Sequence, residues 1–403
     1  MKTYDVVIVG AGPAGGQLAR ELSARGHSIL VIDKEMEIGE PVYSTAGTFP
    51  TIFEEFKLPL KLGSSGTNFI LFKGPKKEVE LRYNKPELLT LNFKGLKQFL
   101  LREAIKKGAE SLIGTRATHP ILKGNKIIGV KYTGIGGSGE VYGKVVVDAS
   151  GPEGVLASQL GLRKKREKFL TIGAEFLMEN LNLDRNGKRF DFCIGKYIAP
   201  AGYAWIFPTN KNEAKVGVGF GVDHLGKNKK SNPIYYLHKF IKSNNQLKEG
   251  QALEFHSGII YANGGIKKYS LNNFLVIGES ACQTSPLFGE GIRHCMWSGR
   301  FASEVISNSL KLNNFSQKKL EEYDKKWKKY IGYRWKYSVK IREIASRLSD
   351  AELDRIVDAI KDMDPMRFLH SLRTEFTKEE VIKGGLHVCG KRFLRLFQPH
   401  KSI

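Results

Sequence analysis

The chain has 403 residues, enough for two or three structural units rather than one small domain. Its 64 Lys and Arg against 41 Asp and Glu leave a formal charge of +23, which favours anionic partners: a phospholipid surface, a phosphorylated substrate, an acidic redox protein or nucleic acid. The four cysteines, Cys193, Cys282, Cys295 and Cys389, are far apart and form no C-x-x-C pair, which suggests neither a zinc site nor a disulfide framework and fits a reduced, cytosolic setting.

The N-terminus enters an apolar strand by residue 4 with no basic leader or cleavage site, so no signal peptide is expected. No apolar run reaches about 18 residues, so any membrane contact is expected from the side. In "YDVVIVGAGPAGGQLARELSARGHSILVID", Val6 to Val9 read as a buried strand, Gly10, Gly12 and Gly15 form G-x-G-x-x-G, Gln17 to Arg25 read as a helix, and a second strand ends at Asp33. Gly10 makes the tight turn, Gly12 lets the backbone approach a pyrophosphate, and Gly15 lets helix pack on strand. The helix start then offers free N–H groups to an anion, and Asp33 stands where a ribose is held. "GIGGSG", Gly134 to Gly139, fits the same spacing but joins strand to strand, so it reads as a hairpin loop. One dinucleotide site is therefore expected, with no second fingerprint for a nicotinamide.

Further along, "VVVDASG", Val145 to Gly151, is a strand ending in Asp-Ala-Ser-Gly. "GYAWIFPTNKNEAKVGVGFG", Gly202 to Gly221, alternates Tyr203, Trp205 and Phe207 before Pro208 and returns through Gly217 and Gly219. If those rings share one face they wall an apolar cavity, and the two glycines leave room for them or for a ligand; the other reading is an ordinary aromatic sheet core. Asn272 to Val305 runs from a strand through Pro286 to a glycine-rich helix start at Gly289 and Gly291. His294, one turn into that helix, reads as a packed or capping residue, and no residue is marked as a proton donor. Ser316 to Glu343 carries ten Lys or Arg against four acids, with Trp327, Tyr330, Tyr333, Trp335 and Tyr337 interleaved. It suits either a helix at a lipid interface or a solvated helix packed on the domain.

The three glycine-bearing segments resemble the FAD signatures of the p-hydroxybenzoate-hydroxylase-like flavoproteins. Within them, Y-x-W-x-F-P-x8-G-x-G, with "IGEPVYSTAG" at Ile38 to Gly47, resembles the geranylgeranyl reductase family, whose members include archaeal digeranylgeranylglycerophospholipid reductases. The resemblance covers roughly residues 1 to 345. It implies an α/β fold, α+β overall: a Rossmann-like FAD-binding domain from 1–60, 90–160 and 270–315, a large antiparallel sheet for substrate from 61–89 and 161–269, and a basic helical region over 316–403. It implies FAD held by Gly10, Gly12, Pro13, Ala14, Gly15, Asp33, Lys34, Ser44, Thr45, Gly47, Phe93, Ala117, Asp148, Gly151, Gly278, Glu279, Pro286, Gly289, Gly291 and Ile292. Glu279 would hold a ribityl or pyrophosphate-side hydroxyl, and the Gly291 and Ile292 amides would face the flavin edge. Tyr203, Trp205, Phe207, Gly217 and Gly219 would contact substrate, with Arg334 a candidate for a lipid headgroup; no metal is implied.

Four positions depart from the family pattern. Ser44 stands where Cys is usual, Phe93 where Arg is common, Glu279 where Asp is usual, and Glu290 interrupts a triple glycine. The implied activity is saturation of geranylgeranyl double bonds in ether phospholipids or their precursors, at the cytoplasmic face of a membrane, with electrons from ferredoxin or NAD(P)H and no nucleic-acid partner. A flavin monooxygenase or halogenase, or a lycopene-cyclase-like non-redox enzyme, are the alternatives on the same fold.

Overall fold

The computed structural model describes residues 3–164, 170–222 and 232–389, with side chains described to Lys383. Among the described residues an eight-stranded sheet is built from β1 (Thr3–Val9), β2 (Ile29–Ile32), β7 (Glu110–Leu112), β8 (Thr115–Lys123), β9 (Lys126–Gly134), β10 (Gly137–Asp148), β16 (Ser270–Leu271) and β17 (Phe274–Val276). Its spine runs β16-β17-β10-β1-β2-β7, and β1 pairs in parallel with both β10 and β2. Val6 to Val9 and Ile29 to Ile32 are buried throughout, as strands covered on both faces require. Helices α1 (Pro13–Ser23), α3 (Phe93–Ile105) and α6 (Ile292–Lys311) pack together beside it. The Gly134–Gly139 decoy is the β9–β10 hairpin, with Gly134 opposite Gly137.

A seven-stranded sheet has the order β15-β11-β14-β13-β12-β4-β5: Gln251–Tyr261, Leu170–Glu179, Ala214–Gly221, Ala199–Pro208, Arg189–Gly195, Phe69–Lys73 and Glu78–Arg82. All its pairings are antiparallel except β12 with β4. Alternation sorts its residues: Ala174, Ala204, Ile206, Val216, Val218 and Phe220 pack with Leu237 and Phe240 of α5 (Pro233–Ser243). Trp205 and Phe207, with Phe72, Phe190 and Phe192, turn to the other face. Two short strands, β3 (Gly47–Thr48) and β6 (Leu89–Thr90), pair beside it, and α2 (Thr51–Phe56) and α4 (Val155–Gln159) complete the connections.

The basic stretch forms α7 (Gln317–Ala345), interrupted at Gly332, whose φ of 52° and ψ of −145° leave helical space. Tyr323, Trp327 and Trp335 are buried in the core of the eight-stranded sheet, so these rings are internal and the helix is the one packed on the protein. Beyond it lie α8 (Asp350–Lys361), opened by a capping box between Ser349 and Glu352, α9 (Pro365–Leu372) and α10 (Lys378–Cys389). Residues 390–403 of the basic region lie outside the described residues.

Candidate active site

At the end of β1 the chain turns through Gly10, whose φ is +106° and where a Cβ would lie 2.2 Å from the Ala149 carbonyl oxygen. Only a bare Cα passes there. At Gly12 a Cβ would meet no protein atom within 4 Å. Gly12 is the N-cap of α1, with no side-chain cap and Pro13 following, and Gly16 N–H makes a first helical bond back to Gly12. The Ala14 and Gly15 amides of the first turn thus precede the helical ladder and border open space suited to an anion.

Asp33 receives the Ala11 amide at 2.5 Å and the Glu35 amide at 2.8 Å, which fixes the glycine turn to the loop after β2. A carboxylate has further lone pairs, so it can still accept ribose hydroxyls. Lys34 pairs with Glu153, which also takes Arg116 at 2.6 Å; buried Ala117 follows on β8. Gly151 has φ +70° and no protein atom within 4 Å of a Cβ built there.

The carboxylate of Asp148 is taken up within the protein. Its side chain is 0% exposed and accepts Ser150 N–H at 3.0 Å, Ser150 Oγ–H at 2.6 Å, Leu156 N–H at 2.8 Å and Ala157 N–H at 2.7 Å. It holds the turn after β10 and the start of α4, so its carboxylate is consumed by protein donors rather than turned to a ligand.

Gly278 runs so close to α1 that a Cβ there would lie 2.6 Å from that of Ala14. Glu279 accepts the Tyr261 amide at 2.7 Å and the Thr284 hydroxyl; burial pushes its carboxyl up to about 7, against the pull of those donors and of Arg163. It ties the end of β15 to the turn at 278–284. Phe93 packs with Ile292 and Met296, joining α3 to α6 by apolar contact. Gly291 is the uncapped N-cap of α6, and Pro286 lends its carbonyl to Arg342 at 3.0 Å. Glu290 is pushed up to about 7 by burial; its Oε1 accepts the Arg293 amide, while Oε2 lies 3.0 Å from His294 Nε2 without hydrogen-bond geometry. Burial, then Arg293 and Arg334, hold His294 down at about 3, so it is a neutral ring packed against Tyr330 and Trp335.

The Gly289–Ile292 turn borders an apolar cavity of about 450 Å³. Its floor is the aromatic face of the seven-stranded sheet; its sides are the Tyr43–Phe49 loop, which carries Ser44, Thr45 and Gly47, and Gly289–Ile292. The Trp205 indole lies across β14: a Cβ at Gly217 would be 2.3 Å from Trp205 Cζ2, and one at Gly219 3.3 Å from Cζ3. The glycines therefore make room for the wall itself. Phe207 stacks on Phe190 with centroids 4.2 Å apart, and Tyr203 donates its hydroxyl to the Phe288 carbonyl at 2.7 Å.

Register aligns one row across the sheet, His256–Glu175–Gly217–Trp205–Phe192–Phe72. It runs from charge to pure hydrocarbon. At its polar end Glu175 Oε2 accepts Thr45 Oγ–H at 2.6 Å and Trp205 Nε1–H at 3.0 Å, and Oε1 lies 3.0 Å from His256 Nδ1. Lys215, buried and with its pKa lowered by that burial, donates to the Ser44 carbonyl at 3.1 Å.

The sequence reading missed this polar corner and the cavity's far wall. Ile341 and Arg342 of α7, Leu353, Ile356 and Ile360 of α8, and Phe368 and Leu372 of α9 line it. The Ser349-x-x-Glu352 capping signal before an apolar run could have announced α8. Arg334 does not line the cavity and donates to the Tyr330 carbonyl at 2.7 Å, whereas Arg342, two turns on, reaches the lining.

The open space at Gly12 and Gly151, the uncapped helix starts at Gly12 and Gly291 and the Asp33 carboxylate fit FAD, its diphosphate at one end and a flat ring at the cavity at the other. Residues 5–165 match a family model described as FAD dependent oxidoreductase, and that is the class this fold and site define. Residues 170–260, which hold Glu175, Trp205, Gly217 and His256, match one described as geranylgeranyl reductase catalytic domain. The chain is 35% identical to the digeranylgeranylglycerophospholipid reductase of Methanocaldococcus jannaschii over 89% of its own length and 90% of the relative's. It is 33% identical to that of Haloferax volcanii over 88% of each. A crystal structure of a geranylgeranyl bacteriochlorophyll reductase-like protein from Thermoplasma acidophilum superposes with a TM-score of 0.88 at 26% identity, over 98% of this chain and 99% of that one. The chain belongs to the geranylgeranyl reductase family.

Proposed function

We propose that this protein is an FAD-dependent reductase that saturates double bonds of geranylgeranyl chains carried by archaeal-type ether phospholipids or their precursors. The observation that carries the reading is the apolar cavity between the aromatic face of the seven-stranded sheet and the uncapped start of α6, in a chain whose relatives bear that activity in their names. FAD, when bound and reduced, supplies hydride. The eight-stranded sheet and its helices serve the cofactor; the seven-stranded sheet, closed by α8 and α9, serves the chain of the lipid. Tyr203, Trp205 and Phe207 hold that chain and exclude water, and their π faces favour positive charge developing on a trisubstituted carbon. Arg342 is the cation placed to meet an anionic headgroup or bridge from the side of α7.

No described helix is long and apolar enough to cross a membrane. The lipid would therefore be met by a peripheral contact on the cytoplasmic face, which the charge of +23 favours. Ferredoxin or NAD(P)H would deliver the electrons. The test is mass spectrometry of a digeranylgeranylglyceryl phospholipid incubated anaerobically with the flavin-loaded protein and dithionite. A gain of two hydrogens per double bond, absent without protein, is expected; unchanged lipid over fully reduced flavin would overturn the reading, and an oxygenated or halogenated product on admitting air would replace it.

A further inference from the structure

Adding hydrogen across an isolated double bond needs a proton as well as hydride, and that proton must enter an apolar cavity. We propose that Glu175 is the general acid that protonates the double bond and that His256 and Glu254 pass protons to it from solvent. This rests on the reductase reading above.

Three carboxylate and imidazole groups form one hydrogen-bonded file. The Glu254 side chain is 55% exposed, and its Oε2 lies 2.8 Å from His256 Nε2. His256, 8% exposed, reaches Glu175, 3% exposed, through Nδ1. Glu175 and His256 both line the cavity, and Glu175 also holds the indole that forms its wall. The file thus starts in water and ends at the ring that would face the reacting carbons.

Tyr203, Arg342 and Glu290, also at the lining, each lack one of these properties. The Tyr203 hydroxyl is committed to the Phe288 carbonyl and burial pushes it up to about 12. Arg342 has no proton to give near neutrality. Glu290 faces His294 without hydrogen-bond geometry, so no hydrogen-bonded file reaches it through that ring. For His256, burial acts to lower the pKa, but the bonds to Glu175 and Glu254 outweigh it and the net shift is upward from 6.5. Lys215, on the neighbouring β14, opposes that rise; Thr45 and Trp205, the other groups at this corner, are neutral.

In the step itself the π bond breaks, one carbon takes hydride from the reduced cofactor with both electrons, and the other takes the proton of the Glu175 carboxyl. Glu175 is left as carboxylate, His256 returns a proton, and Glu254 is recharged by water. One hydride and one proton are consumed per double bond.

The experiment uses the flavin-loaded full chain, dithionite and the diprenyl phospholipid. Wild type must first add hydrogen; an inert wild type sinks the reductase reading and this proposal with it. Against that positive, E175Q should bind lipid, keep its flavin and bleach with dithionite as wild type does, yet lose about 100- to 10,000-fold in kcat with KM little changed. H256N should lose the fall in rate that wild type shows as pH rises through the raised imidazole pKa, and added imidazole should restore part of its rate. An active E175Q with the wild-type pH profile overturns the proposal while leaving the reductase intact. So does loss of the proton step in E290Q with E175Q unaffected.

Discussion

Where β1 ends, what faces the site is main chain: a bare Cα at Gly12, the first amides of α1, the open backbone of Gly151. On the seven-stranded sheet it is side chains, carried in from β15, β11, β13, β12 and β4 and lined up only by register. The first site is specified by what is missing: at Gly12 and Gly151 an added Cβ would meet open space rather than protein. The second is specified by a gradient, and its one essential absence, at Gly217, serves a neighbouring ring rather than a ligand.

The largest test of this contrast is Asp148→Ala. Four donors lose their acceptor, the Leu156 and Ala157 amides among them buried, so unfolding in urea should show a loss of about 2–6 kcal/mol, because stranded buried polar groups cost about 1–3 kcal/mol each. A loss of flavin binding at unchanged stability would return Asp148 to the cofactor. Gly12→Val should do what Asp148→Ala does not: stability of the flavin-free protein holds within about 0.5 kcal/mol, while FAD affinity falls at least about 100-fold, near 2.7 kcal/mol, by flavin fluorescence titration.

Gly217→Ala inverts that pattern. Its Cβ lands on the Trp205 ring and on Glu175, so overpacking should cost about 1–3 kcal/mol with FAD affinity kept. Next comes a pH effect from Glu279 and Glu290, whose carboxyls burial pushes up to about 7. A folded pKa above the unfolded 4.5 means the native state binds more protons in between, so these groups lower stability as pH rises from 4.5 to about 7. E279Q and E290Q should each flatten that part of the stability profile; unchanged slopes would refute the assignment. The smallest is Trp205→Phe, which keeps an apolar ring and removes one hydrogen bond to Glu175, for a loss of about 1 kcal/mol.

The two sites also differ in how far they could be read beforehand. Strand, glycine turn, helix and acid of the nucleotide site lie within residues 4 to 33, each explained by its neighbours, and the structure places them together; the helix begins at Pro13, four residues before its expected start, because Pro suits a first helical turn. The bonds of Asp148 could not be read beforehand, because an acid ending a strand beside a glycine looks the same whether its carboxylate faces ligand or turn. The corner of Thr45, Glu175, Trp205 and His256 draws on four separate segments, and no local period links them. The aromatic alternation predicted one face for Tyr203, Trp205 and Phe207, but not that an indole would lie over the returning glycines. In α7, charge and rings together left two readings open; Trp327 and Trp335 are buried against the protein, while Tyr333 stays exposed.

Much of the far wall of the cavity comes from one run, Leu353 to Leu372, beside Ile341 and Arg342 of α7. A wall drawn from two helices of its own, separate from both the glycine turn and the Glu254–His256–Glu175 file, is free to drift in shape. Descendants of such a chain can acquire a taste for longer, shorter or differently branched guests by rewriting α8 and α9, while the sheets beneath are inherited whole.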